Sequence, residues 1–279
     1  MRGACSIFLA LLFSVMLLAM FNSLSVRAGP STGGWSKTYG RTGEDEAYSL
    51  AQTGDGGYAL AGTTDSFGAG DYDFWLVKTD ASGNAQWNKT YGGIGYEWAY
   101  ALVQTTDGGY ALAGRTESSG PSSGDFWLVK ADSNGEMQWN KTYGGTGDEW
   151  TQALVQTGDG GYALAGATSS FGAGDYDFWL VKTDVNGNAQ WNKTYGATSG
   201  DIGYALVQTA DGGYALAGRE DGDFWLVKTD ADGVVPELPS SVILASFLVA
   251  VTLTVILTRR KFRGRLVQRS WLPLFFRNR

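Results

Sequence analysis

Short apolar runs recur along the chain at a fixed pitch, each bounded by glycine and aspartate. In the second copy the runs are Tyr100-Ala-Leu-Val-Gln-Thr105, Gly109-Tyr-Ala-Leu-Ala-Gly114, Asp125-Phe-Trp-Leu-Val-Lys130 and Met137-Gln-Trp-Asn-Lys-Thr142. They are rich in Val, Trp, Tyr and Phe, which suits strands. Phe-Trp-Leu-Val is apolar on both faces and predicts a strand covered on both sides. Trp-Asn-Lys-Thr alternates and suits an edge. Thr106-Asp-Gly-Gly109 and Asp132-Ser-Asn-Gly135 read as tight hairpin turns, with glycine free to adopt positive φ.

The pitch is 52 residues. Trp35, Trp87, Trp139 and Trp191 each open a W-[SN]-K-T-Y-G stretch, and the Gly-Gly-Tyr of D-G-G-Y-A-L-A-G begins at Gly57, Gly109, Gly161 and Gly213. A period of this length with four strands per unit predicts propeller blades. The phase of the repeat adds to this. The chain opens with a lone fourth-type strand, Trp35–Tyr39, and its last unit ends after a third-type strand, Asp223–Lys228. The first strand can complete the last blade. The fold expected is therefore all-β: a four-bladed β-propeller closed by its N-terminal strand, with closure removing the sheet edges. The alternatives are two chains in an eight-bladed ring, with the monomer preferred, and an open solenoid.

The ends of the chain carry different signals. Residues 1–28 read as a secretory signal peptide, with Arg2 as the charged region, Ile7 to Phe21 as the apolar stretch and Val26-Arg-Ala28 as the cleavage site. The repeats occupy an ectodomain over 29–234, and 235–241 form a linker. Residues 242–258 carry no charge and predict one C-terminal transmembrane helix. Residues 259–279 hold eight bases and no acid, so the tail is expected in the cytoplasm and the repeats outside the cell membrane.

The repeats carry 27 acids against 11 bases, a balance that disfavours nucleic acid as a partner. The chain has no histidine, and its one cysteine, Cys5, lies in the signal region. Disulfides, Cys/His metal sites and histidine-dependent triads are excluded for the ectodomain, and no catalytic residue stands out.

The repeat W-x-K-T-Y-G-G … L-V-Q-T-x-D-G-G-Y-A-L-A-G … D-F-W-L-V-K-T-D-x-x-G-N-x-x-W resembles a group of prokaryotic secreted repeat proteins taken to be β-propellers. The resemblance covers residues 35–233 and implies a fold and a location, but no reaction. Asp80-Ala-Ser-Gly83-Asn-Ala-Gln-Trp87 is similar to the tryptophan-docking motif of quinoprotein propellers, one residue shorter between Asp and Gly. No quinone site accompanies it. Pro236-Glu-Leu-Pro239, the apolar span and the basic cluster resemble the C-terminal sorting signals of prokaryotic surface proteins, archaeal ones especially.

Strand parity places the long, varied loops on one face, expected to point outward, where a rigid scaffold presents binding residues. Asp45, Glu97, Glu149 and Asp201 mark the four blade entrances and are candidate oxygen ligands for Ca²⁺, the one cofactor considered; the other reading is that each carboxylate caps its own turn. Asp71-Tyr72-Asp73 and Asp175-Tyr176-Asp177 are candidates for Ca²⁺ or sugar hydroxyls. Trp98 and Trp150 break the repeat, which has Glu46 and Ile202 at their positions, and suit stacking on a sugar ring. Asn88, Asn140 and Asn192 each open an N-K-T glycosylation sequon.

These features predict a non-enzymatic, surface-anchored binding or adhesion module with a glycan, cation or protein ligand. A structural protein of the cell envelope and an extracellular glycoside hydrolase are the alternatives.

Overall fold

The computed structural model describes residues 33–121 and 124–236. Fifteen strands lie among them, and no helix. The first sheet comprises β1 (Asp45–Gln52), β2 (Tyr58–Thr64), β3 (Asp73–Thr79) and β4 (Ala85–Tyr91). The second holds β5 (Glu97–Gln104), β6 (Tyr110–Thr116), β7 (Asp125–Ala131) and β8 (Met137–Tyr143). The third holds β9 (Glu149–Gln156), β10 (Tyr162–Thr168), β11 (Asp177–Thr183) and β12 (Ala189–Tyr195). The fourth has three strands: β13 (Ile202–Gln208), β14 (Tyr214–Glu220) and β15 (Asp223–Thr229). Each sheet is an antiparallel meander in chain order. No helix among the described residues is long and apolar enough to cross a membrane. The signal, linker end, transmembrane and tail assignments lie outside the described residues.

The strand chemistry matches the apolar pattern. β3, β7 and β11, all Asp-Phe-Trp-Leu-Val-Lys with a final Thr or Ala, are buried at every residue. The outer strands β4, β8 and β12 are exposed or half-buried at every residue but Tyr91. The core lies between sheets, in three clusters, one at each junction of consecutive sheets. At each junction a phenylalanine of one sheet meets a tryptophan of the next: Phe74–Trp127 and Phe126–Trp179 with ring centres 4.6 Å apart, and Phe178–Trp225 at 5.9 Å. The first strands β1, β5, β9 and β13 also contact one another in series and form the inner row.

A second device fixes each junction from the outer side. Trp87 of β4 lies over Gly135, in the β7–β8 turn of the next sheet, and edge-on to Tyr110 at 5.6 Å. Four residues on, the Tyr91 hydroxyl donates to the Gly135 carbonyl at 2.8 Å. Tyr143 and Tyr195 donate in the same way to Gly187 and Gly233, each at 2.7 Å. The glycine is required twice over. Its φ is +78°, and a Cβ there would come within 2.6 Å of the indole.

The N-terminal segment 35–39 makes this same contact with the first sheet. Trp35 lies edge-on to Tyr58 at 5.8 Å, and the Tyr39 hydroxyl donates to the Gly83 carbonyl at 2.7 Å. The segment thus sits where the fourth strand of a preceding sheet would sit. The expected pairing of this segment with β15, which would close four sheets into a ring within one chain, is not formed. Phe224 of β15 is accordingly fully exposed at 106%, whereas its counterparts Phe74, Phe126 and Phe178 are at 0%.

A polar cluster pins the same ends of the strands. Lys78 Nζ binds Asp55 at 2.8 Å, the Thr79 carbonyl at 2.7 Å and Gln86 Oε1 at 2.9 Å, and Lys130 and Lys182 repeat the arrangement. Gln86, Gln138 and Gln190 come from fourth strands. Burial alone would raise the Asp107 and Asp159 carboxyls. Hydrogen bonds from Thr105, Lys130 and Gly109, and from Lys182, Thr157 and Gly161, outweigh it and hold both at about 2.

Two outcomes are expected. Ala at Gly108 (φ +83°, open space around the Cβ) costs the backbone strain alone, about 1 kcal/mol, while Gly135→Ala adds the clash with Trp87 and costs about 3 kcal/mol. Urea unfolding followed by tryptophan fluorescence compares them. Because Asp107 and Asp159 are depressed in the folded state, their stabilisation is complete above the ordinary aspartate range and is lost as pH falls from about 4 toward about 2. The urea midpoint is expected to hold between pH 7 and 5 and to drop across that window. Asp73, raised by burial and by Glu97, works against the trend.

Candidate functional site

The inner strands carry a β-bulge at the same place in every repeat. The register shifts around Tyr48, Tyr100 and Tyr204 in β1, β5 and β13, and around Gln152 in β9. The glycine of Ala-Leu-Ala-Gly makes room for it. A Cβ on Gly62, Gly114, Gly166 or Gly218 would overlap the carbonyl of residue 46, 98, 150 or 202 on the facing strand. A bulge re-aims the side chain it displaces. Here it brings positions 98 and 100, and 150 and 152, to one side of the inner row.

The result is a groove of about 350 Å³ lined by Trp98, Tyr100, Arg115, Trp150 and Gln152. Arg115 lies 5.9 Å from the Trp98 ring centre, a cation–π distance. Its guanidinium also pairs with Glu117 at 2.8 Å and with Asp148, just before the first strand of the next sheet, at 3.4 Å. Aromatic rings extend the wall. Tyr96 stacks on Trp98 at 5.4 Å and 10°, Tyr72 lies 6.3 Å from Trp98, and Tyr176 meets Trp150 edge-on at 4.8 Å. Tyr48 and Tyr100 approach at 5.3 Å across the first junction. The hydrogen bond that the Tyr72 hydroxyl donates to Glu44, at 2.7 Å, pushes its pKa up to about 12, so it serves as a donor at any physiological pH.

The sequence candidates separate on this geometry. Trp98 and Trp150 come together in one groove, half-buried and on the inner strands rather than standing free on the outward loops. Tyr72 and Tyr176 join them through ring contacts. The acids of the two Asp-Tyr-Asp segments do not act as pairs. Asp71 and Asp175 are exposed, and Asp71 accepts from the Tyr96 hydroxyl. Asp73 and Asp177 are buried and turned onto their own loops: Asp73 accepts from Ala69 N at 2.9 Å, and Asp177 from Gly174 N at 3.0 Å.

For Asp45, Glu97, Glu149 and Asp201, read either as Ca²⁺ ligands or as caps of their own turns, the geometry is that of caps. Each is taken up by donors of its own unit. Glu97 accepts from Gly93 N (2.9 Å), Thr116 Oγ1 (3.0 Å) and Ser118 N (3.1 Å), and Glu149 from Gly145 N (3.0 Å), Thr168 Oγ1 (2.7 Å) and Ser170 N (3.2 Å). Asp201 accepts from Ala197 N at 3.0 Å and Asp221 N at 3.2 Å. Asp45 accepts from Thr64, Ser66 and Arg41 N; burial would raise its pKa, but these bonds prevail and lower it. Among the described residues, no group of three or more Asp, Glu, His or Cys side chains is arranged to hold a metal.

Asn88, Asn140 and Asn192 are exposed on the outer strands, and each accepts from the indole N–H of Trp75, Trp127 or Trp179 at 3.2 Å. Sequence reasoning missed Tyr100, Arg115 and Gln152. The available signal was variation at repeat positions: residue 115 is Arg where the first and third units have Thr63 and Ala167.

No family model and no curated protein matches the sequence. Among solved structures, the chain is similar to a crystal structure of a protein of unknown function from Bacteroides caccae, at 12% identity and a TM-score of 0.46. The similarity covers 70% of this chain and 61% of that one, so the chain spans about three-fifths of its length.

The capping role of the entrance carboxylates gives a direct expectation. Glu149→Ala strands the half-buried Gly145 amide and the buried Thr168 hydroxyl and costs about 2–3 kcal/mol. The loss measured by urea unfolding is expected to be the same with and without millimolar Ca²⁺.

Proposed function

We propose that the chain is a surface-anchored binding module whose four sheets act as propeller blades and whose ligand is a glycan held in the inner groove. The observation that carries this reading is the meeting of Trp98 and Trp150, the two tryptophans that depart from the repeat, on adjacent inner strands of one groove. Flat aromatic faces take the apolar side of a sugar ring, while Arg115 and Gln152 offer donors to its hydroxyls. Tyr100 completes the wall. The groove lining has no carboxylate. A glycosidase needs two flanking the scissile bond, so the hydrolase reading is disfavoured.

In this reading the signal peptide directs export, residues 242–258 anchor the chain, and the repeats stand outside the cell membrane with glycans on the sequons. The strongly acidic balance of the repeats fits a neutral or cationic ligand better than an anionic one.

The test is calorimetric titration of the purified chain with a panel of neutral, basic and acidic oligosaccharides. At least one neutral or basic sugar is expected to bind, and Trp98→Ala and Trp150→Ala are each expected to weaken it about tenfold or more. Binding that both variants leave intact would place the ligand elsewhere. Silence across the panel would favour the envelope role.

A further inference from the structure

We propose that the two free ends of the sheet stack are the complementary halves of one more junction, and that a second copy of this chain fills it. Two chains, each contributing both halves, would close a single eight-sheet ring.

The three filled junctions define what each half must offer. On the leading side, the first sheet presents Phe74, Leu76, Ala59 and Ala61, and on the receiving side the second sheet presents Trp127, Val129, Leu112 and Tyr110, all in one buried cluster. The fourth sheet carries the leading set again as Phe224, Leu226, Ala215 and Ala217, and none of the described residues covers Phe224 or Leu226. Leu226 is 73% exposed, where Leu76 is at 0%. The first sheet carries the receiving set as Trp75, Val77, Leu60 and Tyr58. There an unfilled pocket of about 250 Å³ opens beside Leu60, Trp75 and Val77, where a phenylalanine of a preceding sheet would enter.

Polar groups and strand edges tell the same story. At the filled junctions Gly54 N, Thr106 N and Gly158 N donate to Gln104, Gln156 and Gln208 of the next sheet at 2.8–2.9 Å. The equivalent donor and acceptor at the two ends are Ala210 N and Gln52. β15 repeats the sequence of β3 and β11, both of which pair with a fourth strand, yet its own outer edge is unpaired. Lys228 shows the consequence: its side chain is 45% exposed, against 5–6% for Lys78, Lys130 and Lys182. The segment 35–39 is a fourth-type sequence docked on the first sheet through the Trp35 and Tyr39 side chains, in no ladder with the described strands. Continuing the β3–β4 register, in which Leu76 faces Lys89 and Phe74 faces Tyr91, sets Leu226 opposite Lys37 and Phe224 opposite Tyr39 of the second copy.

The occupant is a second copy because one chain carries both the exposed leading face and the open receiving pocket, and the two do not meet within it. A contact between unlike ends is heterologous, and two such contacts close a ring about a two-fold axis. The inference rests on the reading of the sheets as propeller blades, and is independent of the ligand.

The experiment uses the full chain in detergent, in a Cys5→Ser background. Chains carrying Leu226→Cys and chains carrying Lys37→Cys are co-expressed, oxidised and sized by denaturing gel, with native mass spectrometry of the unlinked protein. Opposed positions in an antiparallel pair bring Cβ atoms within reach of a disulfide. A covalent pair of the two different chains, together with a native mass of two copies, is the expected result. Phe224→Asp, at a side chain fully exposed among the described residues, is expected to reduce the native mass to one copy while leaving the circular dichroism spectrum unchanged. A link formed only within a doubly substituted single chain would overturn the second copy yet uphold the blade arrangement. A ladder of higher masses would overturn the ring in favour of a filament. No link, with a single-copy mass, would overturn the junction itself.

Discussion

Everything in this fold depends on a tryptophan lying over a glycine. A single four-stranded sheet of this sequence has two apolar faces and cannot bury both alone. The indole of each fourth strand reaches past its own sheet to the glycine of the next, and the tyrosine four residues later locks the contact with a hydroxyl-to-carbonyl bond. This geometry sets the spacing at which Phe74 meets Trp127 and Phe126 meets Trp179. The core is consequently a series of junctions, and stability is a sum over neighbours, as in other repeat architectures.

The groove follows from the same spacing. Trp98 belongs to the second sheet and Trp150 to the third, so they share a wall only because the junction between those sheets holds β5 beside β9. The bulge opposite Gly114 and Gly166 supplies the second requirement by turning Tyr100 and Gln152 with them. Arg115, reaching Asp148 across that junction, ties the groove to both sheets at once.

Much of this was legible in the sequence, because a repeat states its own architecture. Four strands per 52 residues, the doubly apolar Phe-Trp-Leu-Val strand and the unequal ends all follow from pattern and phase. Two things were not legible. Alternation alone cannot reveal a bulge, so the inner strands gave no warning that Tyr100 and Gln152 would face the groove. Charge alone cannot tell a metal ligand from a cap, and Glu97 and Glu149 are fully engaged by amides and hydroxyls that pattern does not disclose. The pairing of the first segment with β15 rested on counting strands. Counting does not fix which chain's segment meets which edge.

The claim that neighbouring junctions carry the stability is tested most directly by native-state hydrogen exchange with mass spectrometry on Trp139→Ala, which removes the indole lying over Gly187. The account predicts faster exchange in β6, β7, β10 and β11, on either side of that junction, with β2 and β3 of the first sheet retaining their protection. Equal acceleration in every sheet, or none at all, would contradict it.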